Sequence, residues 1–248
     1  MRPTPLVTLT CLLCAAAPTV FAQAAAPLSP IAPTPATPPA PIALFNGRNF
    51  DGLHVYVEKA GSDPATAWKI EDNMLRCLGV GRGYVRTELA YADYHLSLEW
   101  RWPKNAGNSG VMLNIVGPDL IWPKGIEAQL QTNHSGDFAS FGDARSREEI
   151  VSRNPRGVST GRLVHPGPSV EKPMGEWNRY DIIVSGDTIT LTVNGVELNR
   201  MTGVLPSGGM ILFQAEGTPI DFRNILLTPL PPAKNLYAPM PPETTTVK

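Results

Sequence analysis

Nine consecutive residues, Tyr94-His95-Leu96-Ser97-Leu98-Glu99-Trp100-Arg101-Trp102, alternate without a break between apolar and polar side chains. Tyr, Leu, Leu, Trp and Trp fall on the even positions, and His, Ser, Glu and Arg on the odd ones. Successive side chains of an extended strand point to opposite faces, whereas a helix would scatter both sets around its axis. The stretch can bury its apolar set only as a strand with one dry face and one wet one. Trp100 and Trp102 then belong to a core rather than to a sugar-stacking surface.

The rest of the chain is written in the same short units. Strand-like runs cover residues 66–70, 74–78, 84–87, 94–102, 111–116, 126–131, 179–185, 188–193, 209–215 and 222–227, separated by joints rich in Gly, Pro, Asn and Asp. Asn194-Gly195 sits between two of these alternating segments, and that pair tolerates the positive φ angles of a tight hairpin turn. No segment keeps amphipathic helical spacing for three turns; residues 143–150 are expected to form one short helix. Many strands at close spacing predict an all-β sandwich or barrel.

The ends have a different composition. Arg2, the apolar run over residues 6–17 and Val20-Phe21-Ala22 fit an export signal of about 22 residues. The run is shorter than the roughly 20 residues a membrane span needs, and the expected destination is the periplasm or the exterior. Cys14 follows Leu12-Leu13 and lacks the small-residue box of a lipoprotein signal. Residues 23–41 are almost all Ala, Pro, Thr and Ser, a tether, and residues 231–248 form a Pro-rich tail. One domain over residues 42–230 remains. Its partners are not nucleic acid or an anionic membrane, because the net charge is only −1. Cys77 would be the single mature cysteine, within a β-like run, and is read as a packing residue without a disulfide. Gly79-x-Gly81-x-Gly83 precedes a strand rather than a helix, so it is a turn and not a phosphate loop.

Function is sought on the wet faces. Glu127, Gln129 and Gln131 alternate with Ala128 and Leu130, which places a carboxylate and two amides on one face of a strand, a surface suited to sugar hydroxyls. His134 and Asp137 follow in the next loop, and an imidazole titrates near neutrality. Asp137 could equally cap a turn. Glu127, His134 and Asp137 together could hold a divalent ion such as calcium or zinc, although no His-x-x-x-His or acidic calcium loop is present. Arg86 and Arg101 could balance negative charge, or pair with Glu88 and Glu99. Asn108 either contacts a sugar or closes its Ser-Gly turn. Trp122, in the loop segment Ile121-Trp122-Pro123, is the expected aromatic platform, and Lys172 a lining residue. Glu216 and Arg223, either side of the Gly217-Thr218-Pro219 turn, are expected to form an ion pair.

Several motifs in order resemble a known family. They are Leu44-Phe45-Asn46-Gly47-Arg48, Gly83-Tyr84-Val85-Arg86-Thr87, Asn108-Ser109-Gly110-Val111, Ile126-Glu127-Ala128-Gln129, Gly136-Asp137-Phe138, Lys172-Pro173-x-Gly175-Glu176-Trp177-Asn178, Val193-Asn194-Gly195, and Gln214-x-Glu216-Gly217 with Phe222-Arg223-Asn224-Ile225. Together they resemble the 3-keto-disaccharide hydrolases, long known as domain of unknown function 1080. Asn114 and Thr132 depart from the pattern, standing where many members carry Arg and Asp.

The resemblance implies a concanavalin-type jelly-roll sandwich acting on a carbohydrate. A ketone at C3 of a hexose acidifies the C2–H; a base removes that proton and the C1 substituent is expelled. The resemblance makes Glu127 the candidate general base or metal ligand, with His134 and Asp137 as further catalytic candidates. Gln129, Gln131, Arg86, Arg101, Asn108, Trp122 and Lys172 are the candidate substrate-binding residues. The rival reading is a non-catalytic carbohydrate-binding jelly roll, since one fold serves both ends. A lyase that stops at the unsaturated sugar is a variant of the first.

Overall fold

The computed structural model describes residues 39–59, 63–148 and 162–233. The export signal, most of the tether and most of the Pro-rich tail lie outside the described residues, as do Glu149 and Ile150. In chain order the strands are β1 Ile42–Ala43, β2 Leu53–Val57, β3 Trp68–Glu71, β4 Met74–Leu78, β5 Arg82–Thr87, β6 Tyr94–Arg101, β7 Gly110–Val116 and β8 Lys124–Gln129. They continue as β9 Phe138–Phe141, β10 Arg162–Leu163, β11 Asn178–Ser185, β12 Thr188–Val193, β13 Val196–Met201, β14 Met210–Glu216 and β15 Pro219–Pro229.

These strands build an antiparallel sandwich. The back sheet has the order β13-β12-β11-β6-β15-β4-β3, with β1 also on β15; the front sheet runs β10-β9-β8-β7-β14-β5-β2. The neighbours β6 and β15 are far apart in sequence, and so are β7 and β14, which is the crossing connectivity of a jelly roll. Among the described residues the only helical element is a single 3-10 turn at Pro64–Thr66, and no helix is long and apolar enough to cross a membrane.

The alternation that opened the sequence reading is what glues the sheets. Tyr94, Leu96, Leu98 and Trp100 of β6 are wholly buried and meet Val111, Leu113, Ile126, Ala128 and Phe213 from the front sheet. Each such side chain contributes about 1.5–3 kcal/mol by leaving water. Trp102 is also in the core. Cys77 packs there as a free thiol, and burial pushes its pKa up to about 11. The β12–β13 hairpin turns on Asn194 and Gly195, both at positive φ.

Two expectations are corrected. Residues 143–148 form no helix: Arg145 exchanges both backbone hydrogen bonds with Leu205, at 3.0 and 2.9 Å, so the groups a helix would need are already committed. The strand expected at 126–131 runs instead from Lys124 to Gln129. Beyond it the Leu130 N–H donates to the Ser109 carbonyl, and Gln131 accepts from the His134 N–H in a turn.

Candidate active site

The register of the front sheet decides which side chains meet on its outer face. Glu127 lies opposite Met112 on one side and Ala139 on the other, and Ala139 in turn opposite Arg162. Met112 faces Leu212, which faces Arg86, so one row crosses the sheet from β10 to β5. In the adjoining rows Gln214 is paired with Tyr84 and Glu216 with Arg82. Val111, Ala128 and Phe213 between these positions point into the core.

Gly110 makes the arrangement possible by having no side chain. A Cβ there would come closer than 3.0 Å to both Glu127 Oε1 and Gln214 Oε1. Glu127 is only 2 % exposed, yet its Oε1 has no hydrogen-bond partner. Burial pushes its pKa up to about 8, with Glu216 adding repulsion and Arg162 opposing the shift. Glu216 is also raised, chiefly by burial, although Asn108 Nδ2 donates to it and Arg162 and Arg82 favour its charge. Beside them both amide atoms of the buried Gln214 are unpartnered, as is Asn108 Oδ1. A buried carboxyl with its pKa pushed up to about 8, beside a second one that burial also raises and next to unspent hydrogen-bonding atoms, makes a site able to give and take protons.

Aromatic pairs flank this centre. Trp122 stacks on Phe141, with ring centroids 5.5 Å apart and planes at 19°. Tyr56 stacks on Tyr84 at 4.9 Å and 22°. The loop between β7 and β8 is clamped by Asp119, which accepts from Tyr84 Oη at 2.8 Å and from Arg86 Nε at 2.9 Å. His54 Nε2 lies 3.1 Å from the same carboxylate. The hydrogen bond from Arg86, first among its causes, holds the Asp119 pKa below the usual range.

The structure gathers Glu127, Asn108, Arg86 and Trp122 on or beside this face, but with altered partners. Arg86 pairs with Asp119 rather than Glu88, and Asn108 turns to Glu216 instead of closing its own turn. Gln129 spends its Oε1 on the backbone N–H groups of Leu130 and Gln131, at 2.9 and 2.8 Å, and so caps the strand end. Gln131, beyond that end, keeps a buried Oε1 without a partner. His134 Nδ1 sits 3.3 Å from Asp137 Oδ2 in the β8–β9 turn, and the fully buried Asp137 also accepts from the His165 N–H at 2.9 Å. His134 and Asp137 do not join Glu127 in a metal site: among the described residues, no group of three or more His, Cys, Asp or Glu is arranged to hold a metal ion.

Arg101 is on the back sheet, bonded to Asp221 at 2.9 Å rather than to Glu99. Lys172, in the loop before β11, reaches the Trp177 carbonyl at 3.0 Å. The expected Glu216–Arg223 pair does not form. After the turn at Gly217 the chain passes from β14 in the front sheet to β15 in the back one, and there Arg223 takes Glu99 at 2.6 Å. Arg162 and the clamp of Asp119 on Tyr84 have no counterpart in the sequence reading, where Gln214 stands in a motif without a site role. The parity of Gln214-Ala215-Glu216, polar either side of a core alanine, carried a signal; Arg162 carried none.

A family model describing 3-keto-alpha-glucoside-1,2-lyase-like domains matches residues 40–228. The chain belongs to this family. A curated relative, the 3-keto-disaccharide hydrolase of Bacteroides thetaiotaomicron, is 27% identical over 168 residues, covering 60% of this chain and 53% of that protein. This member of the lyase-like family thus spans about half the length of that relative. A solved candidate glycosyl hydrolase of Parabacteroides distasonis superposes with a TM-score of 0.57 at 22% identity, over 77% of this chain and 100% of that one. The β-glucanase of Bacillus licheniformis gives 0.53 at 12%, covering 79% and 100%. The carbohydrate-binding module CBM66 of Bacillus subtilis gives 0.51 at 9%, covering 71% and 95%. At these identities the likeness is one of fold.

Proposed function

We propose that this protein cleaves 3-keto glycosides at the outer face of its front sheet by elimination followed by hydration. The observation that carries this reading is Glu127, a buried carboxyl with an unpartnered oxygen and a pKa of about 8. A base near neutrality matches a ketone-activated C2–H, and burial makes its ionised form reactive. The family and the curated relative's name support the substrate class.

In the elimination, the Glu127 carboxylate takes the C2 proton and the electrons of that bond form C1=C2. The C1–O bond breaks, and the departing oxygen receives a proton from Glu216. Arg162, the cation acting on both carboxyls, balances the charge that gathers on the C3 oxygen. Water then adds across the double bond. Its oxygen joins C1, Glu216 recovers a proton from it, and Glu127 returns its proton to C2. The sum is hydrolysis, with both carboxyls restored. This differs from a two-carboxylate glycosidase, which has no need of a ketone.

The test is release of monosaccharide from a 3-keto disaccharide and from the same disaccharide with its C3 hydroxyl unoxidised. Turnover of the first alone is expected. Glu127→Gln should lower kcat by about 10²–10⁴-fold while sugar binding, measured by calorimetry, persists. Binding without turnover by the wild type on every 3-keto substrate would leave a binding module.

A further inference from the structure

Gln214 carries an idle amide where an idle amide is expensive. The residue is 1 % exposed, and neither Oε1 nor Nε2 has a partner. Leaving such a group unpaired costs about 1–3 kcal/mol. Its place in the sheet offers a titratable neighbour that can settle this. Phe213 is paired with Val111, so the next residue, Gln214, comes alongside Gly110. The empty position above Gly110 is crowded by two acceptor oxygens at once, Glu127 Oε1 and Gln214 Oε1.

Two oxygens bearing only lone pairs repel, unless one carries a proton. A neutral Glu127 supplies it, its O–H donating to Gln214 Oε1. An ionised Glu127 needs a donor instead, and the same amide turned over presents Nε2–H. A primary amide meets both demands in place, with an acceptor on one arm and donors on the other.

We propose that Gln214 is the positioning residue of Glu127, its amide accepting from the neutral carboxyl and, reversed, donating to the carboxylate. The carboxyl is then held in one place through both halves of a proton transfer. The charged groups acting on Glu127 are Glu216 of β14 and Arg162 of β10, and the core phenol Tyr180 of the back sheet in turn feels its charge. The neighbours on β7 and β9, Gly110, Met112 and Ala139, bring no charge. Catalytic use of the pairing rests on the function proposed above; the pairing itself does not.

The experiment follows the Gln214 side-chain ¹⁵NH₂ and the Glu127 carboxyl ¹³C resonances from pH 5 to pH 9.5 in the ligand-free protein, with Glu127→Gln and Gln214→Leu as variants. The amide should titrate with the carboxyl's midpoint and lose its pH dependence in E127Q. In Q214L both forms lose their partner, but the charge-assisted bond to the carboxylate is the stronger of the two, so the Glu127 midpoint should rise by roughly one pH unit. The kcat/KM profile on a 3-keto glycoside should move with it, at an unchanged KM. An amide that stays constant while Glu127 titrates overturns the proposal, as does an unmoved midpoint in folded Q214L. Should Q214L fail to fold, the wild-type amide decides. Joint titration without any turnover would retain the pairing and remove the proposed reaction.

Discussion

Asp221 on the back sheet and Glu127 on the front sheet are equally buried carboxyls, each 2 % exposed, and they have opposite surroundings. Asp221 is gripped by two arginines, Arg76 at 3.0 Å and Arg101 at 2.9 Å, and Arg76 reaches on to Glu71. The same outer face pairs Arg223 with Glu99, and both Arg179 and His95 with Asp181. Among the described residues, Glu127 has an oxygen with no partner, an acidic neighbour and no hydrogen-bonded cation. Both faces read as polar in sequence. The back one pairs its charges with one another; the front one keeps buried bonding capacity in reserve. Polarity of a sheet face therefore says little about function, and unspent hydrogen-bonding atoms say much more.

Removing each carboxylate should have opposite consequences for stability. Asp221→Ala strands Arg76 and Arg101 side by side, partly buried and uncompensated. We expect a loss of about 2–4 kcal/mol in urea melts at pH 7. Equal stability of D221A and wild type would mean that the back face is no more committed than the front.

Glu127→Gln should show the reverse sign, with a pH signature. The folded pKa of about 8 lies above the unfolded reference of 4.5, so between those values the native state binds more protons than the unfolded chain. The wild type is most favoured below the unfolded value, and it loses this contribution as pH rises towards about 8, then levels off. E127Q has no such group. The stability gap should thus grow in favour of E127Q from pH 5 to pH 8, to about 1–3 kcal/mol. Parallel wild-type and variant curves across that range would show that Glu127 is charged and solvated like a surface residue.

What could be read in the sequence follows from the same contrast. The alternation in residues 94–102 and the Asn-Gly turn specify strands locally, because side-chain parity and positive φ are properties of a few adjacent residues. Glu127 was legible for that reason. Its partners were not, since Gln214 and Arg162 reach it only through the pairing of β14 with β7 and of β10 with β9. The Glu216–Arg223 expectation failed on the same ground: proximity along the chain was mistaken for proximity in space, across a turn that changes sheets. Gln129 and Gln131 show a subtler failure. Parity placed them with Glu127, but the strand stops at Gln129, whose carbonyl oxygen of the side chain is consumed in capping that end.

Lys172 gives the smallest and most discriminating effect. Its side chain is exposed and its ammonium bonds the Trp177 carbonyl, in a loop that leads into the back sheet. Trp177 itself lies against the back-face guanidinium groups of Arg223 and Arg101, at 3.9 and 4.6 Å. Replacing an exposed lysine there removes one solvated hydrogen bond, so Lys172→Ala should change stability by less than about 0.5 kcal/mol and leave kcat/KM on a 3-keto glycoside within about twofold. A selective rise in KM would bring this loop round to the substrate. The two faces would then no longer divide the labour as described, because a residue tied to the back sheet would be gripping a ligand held by the front.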